Sequence, residues 1–435
     1  MFISAGAYGT SDPLDGVLAP GEAGVGFTWQ LGPPSPYRGS DRDYDLMMQF
    51  RYDSRYFYLN SDRIGLKLES EGVRYELFLK RRLEGFSSDH VPESMLGLEK
   101  RSGGDDLGVA LRYRLGAGQA YGEVMRNVSD ESDGTELRLG YRYEGWWSGR
   151  LRWRPYATLA WRDSKLNNYY YGTPDYQPGS GLNLELGALA AYRLSERWQA
   201  LAGAGITRWS SGVGNSPVVD GGTQPYVMLG LLWGFKPDQA SEWERRPLIM
   251  RLGYGQSSDC DLMPIVTLQC FSVNTQDDTS IVQLDVGQVL LRRLNGWPVD
   301  IQGFVGFVKH EERGLQPDFW QVQGYLKPIW YPGPWFSDRL RMRFGWGAGV
   351  SYASRIPFAE QRDQALRNRD TSKLLLYLDP TVDLSVGNLL GVPALRETFA
   401  GIGVSHRSGV FGGSRLFNSV NGGSNYIYGF VETSF

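Results

Sequence analysis

Two residues near the C-terminus have the types and spacing to do chemistry together. In the stretch FAGIGVSHRSG, residues Ala400, Ile402, Val404, His406 and Ser408 alternate with Gly401, Gly403, Ser405, Arg407 and Gly409. A β-strand sends alternate side chains to opposite faces, so a base and a hydroxyl continue one apolar stripe. A histidine beside a serine is the pair that nucleophilic ester hydrolysis uses. On an apolar face that pair makes sense if the face meets lipid and the substrate is itself a lipid. The competing reading is that His406 and Ser408 are polar residues at the membrane interface, with no chemistry.

The elements that must position this pair are strands. Leu107, Val109, Leu111, Tyr113 and Leu115 alternate with Gly108, Ala110, Arg112 and Arg114. The same period of two recurs over 135–144, 182–193 and 339–350, where Arg, Glu and Gly occupy one face and Leu, Tyr, Trp and Met the other. Two all-β architectures fit. A soluble sandwich or lipocalin would keep the apolar face inside, whereas an outer-membrane barrel would turn it to lipid and line its lumen with charge. Runs of about ten residues, aromatic run ends and long loops alternating with short ones favour the barrel. The negative mean hydropathy is no objection, because a barrel hides its apolar residues in every second position. A net charge of −3 gives no reason to expect nucleic acid as a partner. The opening MFISAGAYGTSDP has neither a basic nor an apolar leader segment, so an exported chain would be a mature form.

The chain stops twice. PYVMLGLLWGF, Pro225 to Phe235, reads as a final barrel strand with an aromatic end, and KPDQASEWERRP, Lys236 to Pro247, reads as a periplasmic linker. Alternation restarts at Leu248 and ends on Phe435. About twelve strands precede the linker and about eight follow it, both even, as closed bacterial barrels require. The expectation is two antiparallel outer-membrane barrels in tandem, 1–235 and 248–435. One barrel of about twenty strands is the alternative.

The first part resembles the MipA/OmpV family of outer-membrane proteins. The resemblance is carried by SPYRGSDRDYD (Ser35 to Asp45), RYFYLNSDRIGLKLE, NNYYYGTPDYQPGSGLN (Asn167 to Asn183), AYRLSERW and SPVVDG (Ser216 to Gly221). It implies a membrane barrel, partners among the periplasmic enzymes that remodel peptidoglycan, and no catalytic residues. Porin-like members imply a channel as a further possibility. Tyr169, Tyr170 and Tyr171 read as a packed extracellular loop, with a ligand platform as the alternative.

The last strands resemble PagL-type lipid A deacylases, eight-stranded barrels with a His-x-Ser-Asn motif and a Glu on the next strand. Here the motif stands as His406, Arg407, Ser408 and Gly409, and the acidic position in VNGGSNYIYGF holds Asn425. The resemblance implies hydrolysis of an acyl ester of lipid A without a cofactor. Ser408 would be the nucleophile, His406 the base and Asn425 its orienter. Alternation puts Asn425, Ile427, Val431 and Thr433 on the lipid face, with Asn425 one strand from His406. Two departures stand out. Gly409 replaces the family's oxyanion asparagine, leaving a backbone N–H of Gly409 or Val410 for that role. Asn425 can hold a histidine tautomer but brings no charge. Glu432 faces the lumen and Glu397 the periplasmic end, so neither substitutes.

Cys260 and Cys270 share one polar loop, where a local disulfide is expected and a zinc site lacks further ligands. His90 and His310 read as loop histidines in water. Beside His310, Glu311 and Glu312 form either a solvated charge cluster or a divalent-cation site. Asp379 and Asp383 are expected to pair with lumen arginines.

Overall fold

The computed structural model describes residues 22–31, 36–40, 44–86, 91–129, 131–235, 247–294, 297–332, 339–410 and 413–435. His90 and residues 236–246 of the expected linker lie outside them. The chain divides into two compact units, Met1–Lys236 with Gly413–Ser419, and Pro237–Gly412 with Val420–Phe435.

The first unit is a closed antiparallel barrel of twelve strands. They are β1 (Ala23–Leu31), β2 (Tyr44–Asp53), β3 (Phe57–Asn60), β4 (Arg63–Ser70), β5 (Val73–Arg81), β6 (Asp105–Leu115), β7 (Gly118–Asn127), β8 (Thr135–Tyr143), β10 (Leu151–Arg162), β11 (Gly181–Arg193), β12 (Trp198–Arg208) and β13 (Thr223–Phe235). A two-residue strand, β9 (Gly145–Trp146), extends the edge of β10. Closure comes from β13 pairing with β1.

The second unit is a closed barrel of eight strands. These are β14 (Ile249–Ser258), β15 (Ser280–Leu291), β16 (Val299–Glu311), β17 (Phe319–Trp330), β18 (Met342–Ala353), β19 (Leu374–Ser385), β20 (Thr398–Ser408) and β21 (Gly423–Ser434), closed by β21 on β14. The tandem arrangement is therefore correct, and the single larger barrel is not formed.

Alternation fixes inside from outside as expected. On β6, Leu107, Val109, Leu111 and Tyr113 are exposed, while Arg112 is 2% exposed. Arginine can face inward only if its charge is met there. In the first barrel Arg112 donates to Glu76 and Glu123, each at 2.8 Å. Arg138 reaches Glu185 at 2.6 Å and Glu136 at 2.7 Å, and Arg162 reaches Glu84 at 2.6 Å. In the second barrel Arg251 contacts Asp379 at 2.9 Å and Glu432 at 2.5 Å. Arg343 contacts Asp383 at 2.7 Å and Glu432 at 2.8 Å, and Lys327 also pairs with Asp379. Asp379, Asp383 and Glu432 are thus lumen ion-pair partners, as expected. Glu397 is exposed and 3.8 Å from Arg341.

The tyrosine run of the first barrel differs from its expected loop form. Ser164–Tyr171 is a helix, begun by Asp163, whose side chain accepts from the N–H of Leu166 at 2.9 Å. Tyr170 and Tyr171 are buried with Tyr37, Met95, Leu166, Trp209, Val213, Val218 and Val219. Among the described residues no helix is long and apolar enough to cross a membrane, and the crossing elements are strands.

Candidate active site on the outer wall of the second barrel

β20 and β21 pair so that His406 lies opposite Asn425, and Ser408 opposite Gly423. On the other side β20 pairs with β19, placing Leu378 beside His406. Arg407 turns into the lumen, where it donates to Glu360 at 3.2 Å and Gln321 at 3.1 Å. His406 and Ser408 accordingly take the outward face.

The geometry of Asn425 decides the state of the histidine. Its Nδ2 donates to the carbonyl of Cys260 at 2.9 Å, so its Oδ1 must be the atom turned to the ring, 2.6 Å from Nδ1 of His406. An amide oxygen only accepts, so Nδ1 carries the proton and Nε2 is left with its lone pair. That is the tautomer a general base requires. Among the described residues Nε2 has no hydrogen-bond partner.

The pair does not lie bare on the wall. β14 pairs with β21, with Ser258 opposite Asn425, so the loop leaving β14 begins beside the site. Cys260 and Cys270 in that loop are joined by a disulfide, with Cα atoms 5.8 Å apart. Cys260, Leu262 and Ile265 pack on Val404 and Ile427, the outward residues flanking His406 and Asn425, with Leu378 and Cys270 at the margin. An apolar cover of this kind excludes water and strengthens the histidine–amide bond beneath it.

Ser408 stands on the same face, but it makes no hydrogen bond to His406. Its Oγ accepts from the N–H of Val410 at 3.2 Å. Val410 has φ of +57°, a left-handed conformation costly for a β-branched residue.

Gly409 does not supply a free oxyanion donor. Its N–H is committed to the carbonyl of Gly422 at 3.0 Å. A Cβ there would lie 1.9 Å from the oxygen of Val420, so only glycine fits. The amide left beside the nucleophile is that of Val410.

His310 corrects the sequence reading. It is buried at the end of β16 rather than set in a watery loop, with Nε2 3.2 Å from Oε1 of Gln321 and its ring stacked on Phe319. Glu312 is also buried and accepts from the N–H of Phe358 at 3.0 Å, whereas Glu311 accepts from Ser280 at 3.1 Å. The three therefore do not form a solvated cluster. Among the described residues no group of acidic, histidine or cysteine side chains is arranged to hold a metal ion.

Comparison with known proteins bears on the first barrel. Residues 24–235 match the family described as MltA-interacting protein MipA. Outer membrane protein Omp26La of Vibrio anguillarum is 26% identical over 212 residues, which cover 46% of this chain and 81% of that protein. Outer membrane protein OmpV of Vibrio cholerae is 25% identical over the same length and shares. The putative outer membrane protein YiaT of Escherichia coli K12 is 26% identical over 216 residues, 46% of this chain and 86% of that protein. The N-terminal region is thus of the MipA/OmpV kind, and the protein belongs to the bacterial outer membrane.

Proposed function

We propose that the second barrel hydrolyses an acyl ester of lipid A in the outer leaflet, while the MipA/OmpV-like first barrel is a non-enzymatic envelope scaffold. The observation supporting the hydrolase is the amide-locked tautomer of His406. Asn425, itself held by the Cys260 carbonyl, leaves Nε2 basic on a lipid-facing wall that also carries Ser408. In the reaction the Ser408 hydroxyl gives its proton to Nε2 as Oγ bonds to the ester carbonyl carbon. The ester C–O bond then breaks, and His406 returns the proton to the departing alkoxide. Water, deprotonated by the same nitrogen, cleaves the acyl-serine and releases a fatty acid. Ser408 must swing from the Val410 amide to meet Nε2. That movement frees the amide for the oxyanion.

Mass spectrometry of lipid A from outer membranes carrying the wild type or Ser408→Ala tests this. The wild type is expected to remove one ester-linked acyl chain and the variant none. Unaltered lipid A with the folded, inserted wild type would overturn the hydrolase.

For the first barrel, the match to a family named for interaction with MltA supports partners among periplasmic peptidoglycan-remodelling enzymes. Photocrosslinkers at the short turns 71–72, 116–117 and 195–197 are expected to capture such an enzyme. Their failure to capture one would remove this reading.

A further inference from the structure

The lumen arginines of the first barrel meet carboxylates, but Arg208 does not share their face. It ends β12, where Thr207 is buried and Arg208 is exposed, so alternation turns the guanidinium outward. β12 rises from the short turn 195–197 to the long loop 209–222, which puts Arg208 at the extracellular end. Among the described residues its guanidinium has no hydrogen bond or ion pair.

Strand register sets a row beside it. Leu159 of β10 lies opposite Leu184 of β11, Leu184 opposite Arg208, and Arg208 opposite Thr223 of β13. Lateral neighbours share a face, so two leucines, a cation and a hydroxyl look out from one stretch of wall. Leu182 is exposed on the same side.

The loop above this row is fixed by its own bonds. The N–H of Trp209 donates to the carbonyl of Gly222 at 2.8 Å, and that of Ser210 donates to Oδ1 of Asn183 on β11, also at 2.8 Å. Ser211 and Asn215 are thereby held over the row. Together these residues enclose a groove of about 470 Å³. Among the described residues lining it, Arg208 carries the one charge and no carboxylate opposes it.

An arginine on a lipid-facing wall is tolerated near headgroup level, and it is stabilised where an anion meets it. A guanidinium fork matches phosphate oxygens two at a time, hydroxyl and amide groups match sugar hydroxyls, and leucines match acyl chains. We propose that this groove docks lipid A, the phosphorylated glycolipid of the outer leaflet. Its phosphate sits on Arg208, its sugar against Ser211, Asn215 and Thr223, and its acyl chains over Leu159, Leu182 and Leu184. A phospholipid brings the phosphate but no sugar to fill the polar rim. The inference needs the outer-membrane placement of the chain and not the hydrolase reading.

The test is native mass spectrometry of the whole chain in detergent, in a Ser408→Ala background so that bound lipid stays intact. The probes are bisphosphorylated lipid A, lipid A stripped of phosphate, and phosphatidylglycerol. Arg208 makes no bond within the fold, so Arg208→Ala should fold like its parent. At equal lipid the parent should retain one more lipid A per chain than Arg208→Ala. The affinity of that extra site should fall about tenfold in the variant, the usual result of losing charge-assisted hydrogen bonds. Arg208→Lys should keep part of it, because a point charge replaces the fork. Lipid A without phosphate should bind parent and variant alike. Equal retention of bisphosphorylated lipid A by folded parent and Arg208→Ala overturns the docking. Phosphatidylglycerol bound as tightly, with the same dependence on Arg208, overturns the choice of lipid A and leaves a general contact for anionic lipid. Neither outcome depends on whether the wild type cleaves lipid A, which spectra of the chain with Ser408 restored read separately.

Discussion

The two barrels close their lumens in the same way but spend their extracellular loops differently. In the first, loop residues Tyr37, Tyr170, Tyr171, Trp209 and Val219 gather into one apolar cluster. Tyr37 donates to the carbonyl of Tyr170 at 2.9 Å, and Tyr171 reaches lumen Glu84 at 3.2 Å. Those aromatics turn toward the ion pairs. In the second barrel the helix Phe358–Leu366 turns inward likewise, sending Glu360 to Arg407. The disulfide loop instead lies on the outer wall, over Val404 and Ile427. A loop that packs inward seals a barrel, whereas one that packs outward makes a sheltered polar spot where lipid passes. The two described histidines divide along the same line, His310 in the lumen and His406 on the wall.

That division predicts the largest effect. His406→Ala should remove lipid A deacylation by a factor of about a thousand or more, since base and nucleophile act as a unit. His310→Ala should leave turnover of the inserted protein within about twofold, while costing about 1–3 kcal/mol of stability through lost stacking on Phe319 and one lost hydrogen bond to Gln321. Paired lipid A mass spectra and urea unfolding of both variants measure this. A dead His310→Ala that unfolds like wild type would break the division of roles between lumen and wall.

Much of this was legible in the sequence, and the gaps have physical causes. Alternation such as Leu111–Arg112–Tyr113 sorts wall from lumen because a strand's period is two. The aromatic strand end at 235 marks the end of one barrel. The histidine at 310 was misread because KHEERG is polar throughout. Its parity with Gln302, Gly306 and Val308, all buried, was the available signal. The helix at Ser164–Tyr171 carries no apolar period of its own, since its tyrosines are recruited by Tyr37 and Trp209 from distant loops. The hold of Cys260 on Asn425 was beyond reach for another reason. Cys260 and Asn425 are 165 residues apart, and only barrel closure brings them together. Sequence motifs record neighbours along a strand or across one hairpin, not across the seam between first and last strands.

The lumens, by contrast, should behave alike. Arg138→Met in the first barrel strands Glu185, and Arg343→Met in the second strands Asp383. Each should cost about 3–5 kcal/mol, the usual result of leaving a buried carboxylate unpaired. The measurement is the shift in unfolding midpoint of each variant. A cost below about 1 kcal/mol in one barrel alone would show that its lumen is wet enough to solvate the orphan, and the two would no longer be equivalent.

The smallest effect sharpens the contrast at the loop itself. The double change Cys260→Ser and Cys270→Ser keeps both side chains' size and removes only the covalent tie. Cross-linking a loop of this length restricts its unfolded states by about 3 kcal/mol. The barrel does not need that tie, because β14 and β21 are paired along their whole length. The site does, because the Cys260 carbonyl orients the Asn425 amide and Leu262 covers the histidine. The double variant should therefore still insert, lose up to about 3 kcal/mol of unfolding stability, and deacylate several-fold more slowly. A loosened carbonyl lets the amide turn, presenting Nδ2 to the ring and selecting the wrong tautomer. Adding Asn425→Asp should then recover much of the loss, because a carboxylate has no wrong way round. If the serine pair slows nothing, the outward loop is only a cover, and the tautomer lock resides in the strand pairing of His406 and Asn425 alone.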